Sequence, residues 1–384
     1  MRILQPSTAL RTRVALRPRT AVLVDRHGTL DAGELLDQVH LHRRRHRGTP
    51  PAGLLDLPAT APLRQVLVTV LAGNGVLELR SSGSTGRPRV RRRGPFSARQ
   101  LASLTDLARR IGLRPGRRVA CLAPGVHGHG LLVALGALAF GAPLVDLSHL
   151  PGPERVALLH HTSPHLLTGA PVHLADLLQA DVELAGGRTL QIPRVVSGSD
   201  PLLPELRADL ARHYRARVHD VHGSIEAGPL AVDGRPLRGV RLRAQDGLVH
   251  ARTPFTGRRV LVTGRGEIGA DGTVRMRAHD GGTDEAAASG GMLRDPAAVV
   301  GVLRSHPTVA GARLRAVPDE RSGVRTIAEV ALHVPTDGAA APTGEELRAL
   351  VRDRLGAASV PHEVLLSGPG ADGTAPARLS SPGR

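Results

Sequence analysis

The stretch Ser81-Ser82-Gly83-Ser84-Thr85-Gly86-Arg87-Pro88-Arg89 is the most informative segment of this sequence. It follows an apolar run at residues 76–79, which predicts a strand. Its two glycines permit a turn in which backbone N–H groups point at an anion, and its hydroxyls add donors. It is not a Walker loop, because G-x-x-x-x-G-K-[ST] is absent. The segment alone indicates either a phosphate-binding loop or a plain Ser/Gly turn.

Apolar runs of strand length alternate with helical patterns around this loop, as in an α/β fold. Strands are predicted at residues 66–70, 76–79, 118–122, 143–147 and 194–197. Helices are predicted at residues 98–111, 131–140, 153–160 and 203–212. Residues 21–39 predict a further strand and helix near the start of the chain. Short alternating segments broken by glycine, at residues 240–244 and 258–263, predict a smaller β-rich unit.

A change of pattern near Asp280 predicts a domain boundary. The glycine pair Gly281-Gly282 follows it, and the tail beyond predicts helices at 296–306 and 344–355 and strands at 312–317 and 326–333. We therefore predict a large N-terminal α/β domain of stacked sheets and helices over residues 1–279, β-rich at 236–279. A small α+β C-terminal domain with a mobile tail is predicted over residues 280–384.

The composition argues against several functional classes. The formal net charge is +17, but every basic residue is arginine, which is typical of a compositional bias rather than of a binding surface. Aromatic residues make up only 1% of the chain, so we expect no specific nucleic-acid partner. Cys121 is the single cysteine, which excludes an internal disulfide and fits a reducing cytosol. The longest apolar stretch, residues 131–145, is short for a membrane span, so we expect a cytoplasmic protein.

Three more glycine-containing motifs follow the loop in the chain. They are Pro124-Gly125-Val126-His127-Gly128-His129-Gly130, Ser197-Gly198-Ser199-Asp200-Pro201-Leu202 and Val221-His222-Gly223-Ser224-Ile225-Glu226-Ala227-Gly228. Taken singly, His127 could be a helix-capping or core histidine, and Glu226 a surface charge. In this order, the motifs resemble those of the adenylate-forming (AMP-binding) superfamily, in its acyl-CoA synthetase branch. The resemblance covers roughly residues 64–378, and the chain reaches the phosphate loop sooner than members of that family do.

The resemblance implies a site for ATP and AMP. The implied nucleotide-binding residues are Ser82, Gly83, Ser84, Thr85, Gly86, Gly198, Ser199, His222, Ser224, Arg265 and Arg277. The implied catalytic residues are Thr85, Arg89, Glu226 and Arg378. Glu226 would also hold Mg²⁺, for which a carboxylate is a suitable hard ligand. His127 and Gly223 would line the pocket for a carboxylic acid.

Several positions depart from the family pattern. Arg89 stands at the usual lysine and keeps the charge, while Ile225 replaces a threonine that contacts the acyl phosphate. His222 replaces an aromatic ring that packs on adenine. Arg265 stands where an aspartate grips the ribose, and Ala375 stands at the catalytic lysine.

The implied activity is that of an AMP-forming acyl-activating synthetase. A small acyl or aryl carboxylic acid would react with ATP to give an acyl-adenylate, and then with coenzyme A or a carrier thiol. Because functional positions are altered, the alternative is a catalytically impaired relative that binds a nucleotide or acyl group. A serine hydrolase is not supported, since G-x-S-x-G is absent.

Overall fold

The computed structural model describes most of the chain. The described residues are 2–4, 6–46, 53–58, 60–73, 77–80, 90–126, 128–184, 186–200, 202–224, 226–276, 296–319, 323–333, 341–355 and 359–368. They form ten α-helices, which are α1 (Pro6–Leu16), α2 (Ala32–Arg45), α3 (Leu63–Ala72), α4 (Ala98–Ile111), α5 (Gly128–Phe140), α6 (Gly152–Thr162), α7 (Pro171–Leu184), α8 (Pro204–Tyr214), α9 (Pro296–Arg304) and α10 (Gly344–Leu355).

Twenty strands are found in the same described ranges. They are β1 (Arg2–Leu4), β2 (Ala21–Asp25), β3 (Gly28–Asp31), β4 (Leu77–Arg80), β5 (Val90–Arg93), β6 (Phe96–Ser97), β7 (Val119–Cys121), β8 (Leu144–Asp146), β9 (Leu166–Gly169), β10 (Arg194–Gly198), β11 (Arg217–Ser224), β12 (Gly228–Val232), β13 (Arg235–Pro236), β14 (Arg241–Gln245), β15 (Leu248–Arg252), β16 (Leu261–Ile268), β17 (Val274–Met276), β18 (Val309–Asp319), β19 (Gly323–Leu332) and β20 (Glu363–Ser367).

The main sheet contains nine of the described strands, in the order β13-β12-β11-β10-β9-β7-β8-β2-β3. Six neighbouring strands, from β11 to β2 in that order, run parallel. The strands at either side, β12, β13 and β3, add antiparallel pairs. Because parallel strands share a direction, the carboxyl ends of all six lie at one edge of the sheet and their amino ends at the other. We call these the carboxyl edge and the amino edge.

Helices cover both faces of the parallel strands, so the strands are apolar on both faces. Successive side chains of a strand point to opposite faces. Val119 and Cys121 of β7 join one apolar cluster with buried side chains of α1, α2, α3 and α5. The intervening Ala120 joins a second cluster with buried side chains of α6, α7 and α8. This doubly covered sheet confirms the predicted α/β fold.

The strand predicted at residues 66–70 is wrong, because this segment lies inside helix α3. The valines favour a strand by propensity, but Leu63, Val66, Leu67, Val70 and Leu71 recur at helical spacing, and all five are buried. Burial of this stripe in the first apolar cluster outweighs the propensity.

Polar contacts fix the start of α3 against the main sheet. The guanidinium of Arg64 donates to both carboxylate oxygens of Asp25 at 3.1 Å, and the backbone N–H of Leu63 donates to Asp146 at 3.2 Å. Both aspartates end parallel strands, β2 and β8. Burial raises the pKa of Asp146, while hydrogen bonds from Ser148 and Leu63 oppose that shift.

Most other predicted elements agree with the structure to within a few residues. The β-rich unit is a four-stranded sheet in the order β14-β15-β16-β17. In the described part of the tail, β18, β19 and β20 form a sheet with its own apolar cluster, to which α9 and α10 contribute. The boundary predicted near Asp280 falls within residues 277–295, outside the described ranges, so the domain division stays a prediction.

The described helices include none that is both long and apolar enough to cross a membrane.

Candidate active site at the carboxyl edge

The carboxyl edge contains a point where the direction of the chain connections reverses. From β7 the chain passes through α5 to β8 on one side, whereas from β9 it passes through α7 to β10 on the other side. β7 and β9 are neighbours in the main sheet. In open α/β sheets, ligands bind in the crevice outside the carboxyl ends at such a switch point. The topology therefore places the candidate site beyond the ends of β7, β9 and β10.

His129 lies at this switch point and joins three segments of the chain. It is the second residue of α5, which begins shortly after β7. Its Nδ1 lies 3.0 Å from Oγ of Ser199, just after β10, and its Nε2 lies 3.1 Å from Oγ1 of Thr168 in β9. The imidazole thus spans the crevice from α5 to the ends of β9 and β10.

Burial lowers the pKa of His129 to about 4, so the ring is neutral at pH 7. A neutral imidazole has one N–H donor and one acceptor nitrogen, and hydroxyl partners can complement either tautomer. The exposed Ser199 has a free lone pair with which to contact a ligand. The site consequently offers uncharged hydrogen-bonding groups beside the amino end of α5, whose dipole favours anions.

Two glycines allow the close approach of His129. A Cβ at Gly198 would lie 3.1 Å from Cε1 of His129, tighter than ordinary contact. A Cβ at Gly130 would lie 2.2 Å from the carbonyl oxygen of Pro124 and 2.5 Å from that of Ala123. Backbone oxygens cannot move aside as a flexible side chain can, so Gly130 is required where α5 meets the preceding turn.

Ser199 adopts a backbone conformation that residues other than glycine rarely occupy, with φ of 85°. Such a conformation costs of order 1–3 kcal/mol and is often found at binding sites. Here it belongs to the residue whose hydroxyl contacts His129.

β11 adds polar groups beside the end of β10. Ser197 pairs with Asp220 in the parallel ladder, so Ser197, Asp220 and His222 face the same side of the main sheet. Oγ of Ser197 and Nε2 of His222 are buried atoms without a hydrogen-bond partner among the described residues. Buried polar atoms are normally paired, so both atoms are available to a further partner.

Burial also shifts the pKa values of these β11 side chains. It lowers the pKa of His222 to about 4 and raises that of Asp220 to about 6. The charge of Asp233 adds to the rise at Asp220, and that of Arg207 opposes it. At pH 7, His222 therefore presents a neutral ring, which suits contact with an uncharged heterocycle.

The turn from β11 to β12 positions Ser224 and Glu226. Oγ of Ser224 accepts from the backbone N–H of Ala227 at 3.0 Å, and the carbonyl of Ala227 accepts from Oγ1 of Thr253 at 2.7 Å. These bonds fix both sides of the partly buried Glu226. The described residues include no group of three or more His, Cys, Asp or Glu that could hold a metal ion. A Mg²⁺ on Glu226 would thus depend on oxygens of the substrate phosphates, as is usual for this ion.

The structure also describes two other predicted site residues, Gly223 and Arg265. Gly223 sits where a Cβ would come within 2.9 Å of the carbonyl oxygen of Gly228, so the two arms of the turn pack closely. Arg265 is exposed in β16, where it pairs with Leu248, and its side chain has no hydrogen-bond or ion-pair partner among the described residues. The contacts above join Gly198 and Ser199 to His129, but they do not join Arg265 to this group.

The predicted phosphate loop, residues 81–89, lies outside the described ranges. The strands before and after it in the sequence, β4 and β5, pair antiparallel, with Arg80 opposite Val90. Several predicted site residues lie outside the described ranges, namely Ser82, Gly83, Ser84, Thr85, Gly86, Arg89, His127, Arg277 and Arg378. Ile225 and Ala375 also lie outside them. Their assigned roles stay predictions.

His129 and Thr168 were not predicted as site residues. His129 belongs to the motif at residues 124–130, which also contains His127, and which of the two histidines lies at the site depends on the residue at which α5 begins. Thr168 carries no motif, because its role arises from the crossover that inserts β7 between β8 and β9. Thr168 is almost fully buried at the end of an apolar strand, a signal that only this topology makes meaningful.

Comparison with known proteins finds similar sequences and similar folds. The family model for AMP-binding enzymes matches residues 79–263, which run from the end of β4 into β16 and include His129, Thr168, Ser199 and His222. A probable 2-succinylbenzoate–CoA ligase of Mycobacterium tuberculosis is 29% identical over 312 residues, covering 75% of this chain and 78% of that protein.

Two solved structures share the fold. The amide bond synthetase McbA from Marinactinospora thermotolerans has a TM-score of 0.64 at 19% identity, with 95% of this chain and 96% of that chain covered. A double mutant of o-succinylbenzoate CoA synthetase (MenE) from Bacillus subtilis, bound with a product analogue, has a TM-score of 0.61 at 17% identity, with 94% of each chain covered. The chain therefore matches the family model for AMP-binding enzymes over residues 79–263 and shares the fold of these two synthetases.

Proposed function

We propose that the protein is an AMP-forming acid–thiol ligase that converts a carboxylic acid to its acyl-adenylate and then to a coenzyme A thioester. The observation that supports this most is the meeting of His129, Thr168 and Ser199 at the switch point of an AMP-binding domain. His129 is neutral at pH 7, its two partners are hydroxyls, and this group lies beside the amino end of α5.

In the first step, a carboxylate oxygen attacks the α-phosphorus of ATP. The bond from that phosphorus to the oxygen bridging to the β-phosphate breaks, and pyrophosphate leaves with its electron pair. Positioned donors stabilise charge on the moving phosphates, and this is where Thr85 and Arg89 are proposed to act. Glu226 would hold Mg²⁺, which neutralises phosphate charge when bound.

In the second step, the thiol of coenzyme A attacks the acyl carbon, the thiol proton passes to solvent, and AMP leaves. His129 and Ser199 are proposed to orient the acyl group, since both lie beyond the ends of the central strands. His222, with its unpartnered Nε2, is proposed to contact the adenine. His127 and Gly223 are retained as proposed pocket residues, and Gly198, Ser224, Arg265 and Arg277 as proposed nucleotide contacts.

The proposed acid is acyl or aryl rather than an amino acid. No charged residue occurs in α5 after His129, so the wall that follows this histidine provides no carboxylate for an α-ammonium group. The relative from Mycobacterium tuberculosis is named for 2-succinylbenzoate, an aryl keto acid, which makes such acids the first to test.

The test is ATP–pyrophosphate exchange with a panel of acids, including 2-succinylbenzoate, benzoate and short fatty acids. We expect exchange above background with at least one acid, and a thioester when coenzyme A is added. No exchange with any acid, together with no thioester from synthetic acyl-adenylates, would contradict the proposal and leave the impaired binder.

Ala375 provides a separate prediction about the rate of the first step. By the resemblance, a lysine at this place bridges the carboxylate and the α-phosphate during adenylation only. Ala375→Lys should therefore raise pyrophosphate exchange by about a hundredfold, the usual effect of one positioned charge donor. Thioester formation from a supplied acyl-adenylate should not change. If Arg378→Ala abolishes an exchange already present in the unaltered protein, Arg378 has taken over this role.

A further inference from the structure

The amino edge of the main sheet carries a concentrated group of arginines. Two clefts open there, with volumes of about 420 and 430 Å³. They share His165, Gln191 and Pro193, so they form one continuous depression, which we call the amino-edge cleft. Its cationic side chains are Arg114, Arg117, Arg118, Arg194, Arg215 and Arg217. The described residues that line the cleft include no Asp or Glu.

Most of these guanidinium groups are available to a ligand. Arg118 donates to the carbonyl of Thr162 at 2.9 Å, and Nη1 of Arg194 lies 3.2 Å from Nε2 of His219. The side chains of the other four arginines, all exposed, have no hydrogen-bond or ion-pair partner within the described ranges. Like charges so close together repel one another, which makes the cleft a strong attractor of anions.

A simpler explanation is that arginines complement the helix dipoles, because α4, α6 and α8 end at this edge. That explanation fits Arg215, which follows the last turn of α8. It does not fit Arg217, the first residue of β11. Arg215 also has φ of 51°, a conformation that glycine adopts at lower cost. An arginine is thus present where the backbone alone favours glycine.

The shape of the cleft favours a small ligand over a large one. A concave depression of this volume is the size of a small-molecule site. Duplex DNA and membranes are bound through extended basic surfaces on which many phosphates are contacted. Arginine binds phosphate bidentately, so closely spaced arginines match a chain of phosphate groups.

We propose that the amino-edge cleft binds a small anion carrying two or more phosphate groups, at a site separate from the active site. β10, of five residues, begins at this cleft and ends at Gly198, so about 15 Å separates the two sites. Arg114, Arg117, Arg215 and Arg217 would contact the phosphates, and His165 would lie where the two halves of the cleft meet.

His165 provides an independent signature of this binding. Burial lowers its pKa, and the charges of Arg114, Arg117 and Arg194 lower it further. A bound polyanion offsets those positive charges and raises the pKa, so binding takes up a proton. Acidification should therefore strengthen binding through His165, because the protonated ring is favoured only when the anion is present.

The test is calorimetry with inorganic tripolyphosphate at about 150 mM salt, where weak surface attraction is screened. The double variant Arg114→Ala/Arg217→Ala should bind about tenfold more weakly or worse, since it loses two charge-assisted contacts. The double variant Arg258→Ala/Arg259→Ala is the matched control. It removes the same charge from exposed positions outside the cleft and should change affinity less than about twofold. Equal losses in both variants, or no loss in either, would overturn the proposal.

Two further experiments identify what causes the measured binding. Between pH 7.5 and 6, the affinity of the unaltered protein should rise relative to that of His165→Gln, which also corrects for titration of the tripolyphosphate itself. A constant ratio would contradict the placement of the anion beside His165. If a 20-base-pair DNA duplex depends on the same arginines while tripolyphosphate does not compete with it, the cleft is part of a nucleic-acid surface and the proposal is wrong.

Discussion

The two edges of the main sheet present opposite chemistry. At the switch point on the carboxyl edge, His129 is neutral, its partners are the hydroxyls of Thr168 and Ser199, and a Cβ at Gly130 would clash with backbone oxygens. At the amino edge, six arginines surround an open cleft. One set of parallel strands separates the two.

This difference shows that charge and function need not coincide in this fold. The high net charge of the chain directs attention to arginine, yet His129 and its two hydroxyl partners at the switch point, where ligands bind in such folds, carry no charge at pH 7. Neutral groups suit an acyl group and an adenine, whereas a cluster of arginines suits anions. Variants that act at one edge and not at the other can test this separation.

The largest effect is expected from Gly130→Ala. The added methyl would lie 2.2 and 2.5 Å from two carbonyl oxygens, so α5 must move away from its preceding turn. We expect a loss of about 3 kcal/mol in the free energy of unfolding, as for other overpacked backbone sites. Urea unfolding measures it.

Gly136→Ala is the matched control within the same helix. Nothing lies within 4 Å of its Cβ position, and alanine favours a helix interior over glycine by about 1 kcal/mol. We therefore expect this variant to be as stable as the unaltered protein or more so. If both variants lose the same stability, the crowding described at the carboxyl edge is not real.

The second effect concerns catalysis. His129→Ala should lower kcat/KM for acyl-adenylate formation about a hundredfold, or about 2.7 kcal/mol, because both hydroxyl contacts across the crevice are lost. The exposed His161 in α6 serves as the control, and His161→Ala should leave the rate unchanged. A folded His129→Ala variant with normal kinetics would show that the acid binds elsewhere.

The smallest effect is on the pH dependence of stability. The pKa of His222 is about 4 in the folded chain and about 6.5 when unfolded. The unfolded chain thus binds more protons between these values, so the contribution of the neutral ring is complete above pH 6.5 and is lost as pH falls towards 4. Asp220 has the opposite effect on stability. Because its pKa is raised in the folded chain, its contribution to the stability of the fold grows as the pH falls.

When the pH falls from 7 to 5, the free energy of unfolding should drop by about 1–2 kcal/mol less for His222→Gln than for the unaltered protein. His161→Gln, at an exposed position, should follow the unaltered protein. Parallel curves for all three proteins would show that His222 is not held neutral.

Local elements were predictable where the sequence carries its own start and stop signals. Helix α4 was predicted with its observed bounds, because Ser97 and Gln100 form a capping box and Gly112 ends the helix in the left-handed conformation. Residues 66–70 of α3 were predicted to form a strand, since the helix has no side-chain cap and its valines favour β structure. The helical spacing of its buried apolar residues is clear only over the whole segment from Leu63 to Ala72.

The sequence named candidate site residues by motif but could not give their contacts. Gly198, Ser199 and His222 were named because glycine turns and their neighbours recur in order along the chain, and their roles stay predictions. Thr168 was not, since its place beside His129 depends on strand order, which no local pattern records. The arginines of the amino-edge cleft come from three separate segments, so they too become a group only in the folded chain.

The most direct test is to follow the imidazole signals of the 19 histidines by NMR while AMP is added, with assignments made from single His→Gln variants. If the nucleotide binds at the carboxyl edge, the signals of His129 and His222 shift in a saturable manner and that of His165 does not. If AMP shifts His165 and leaves His129 and His222 unchanged, the nucleotide binds at the amino edge and the assignment of the active site is wrong.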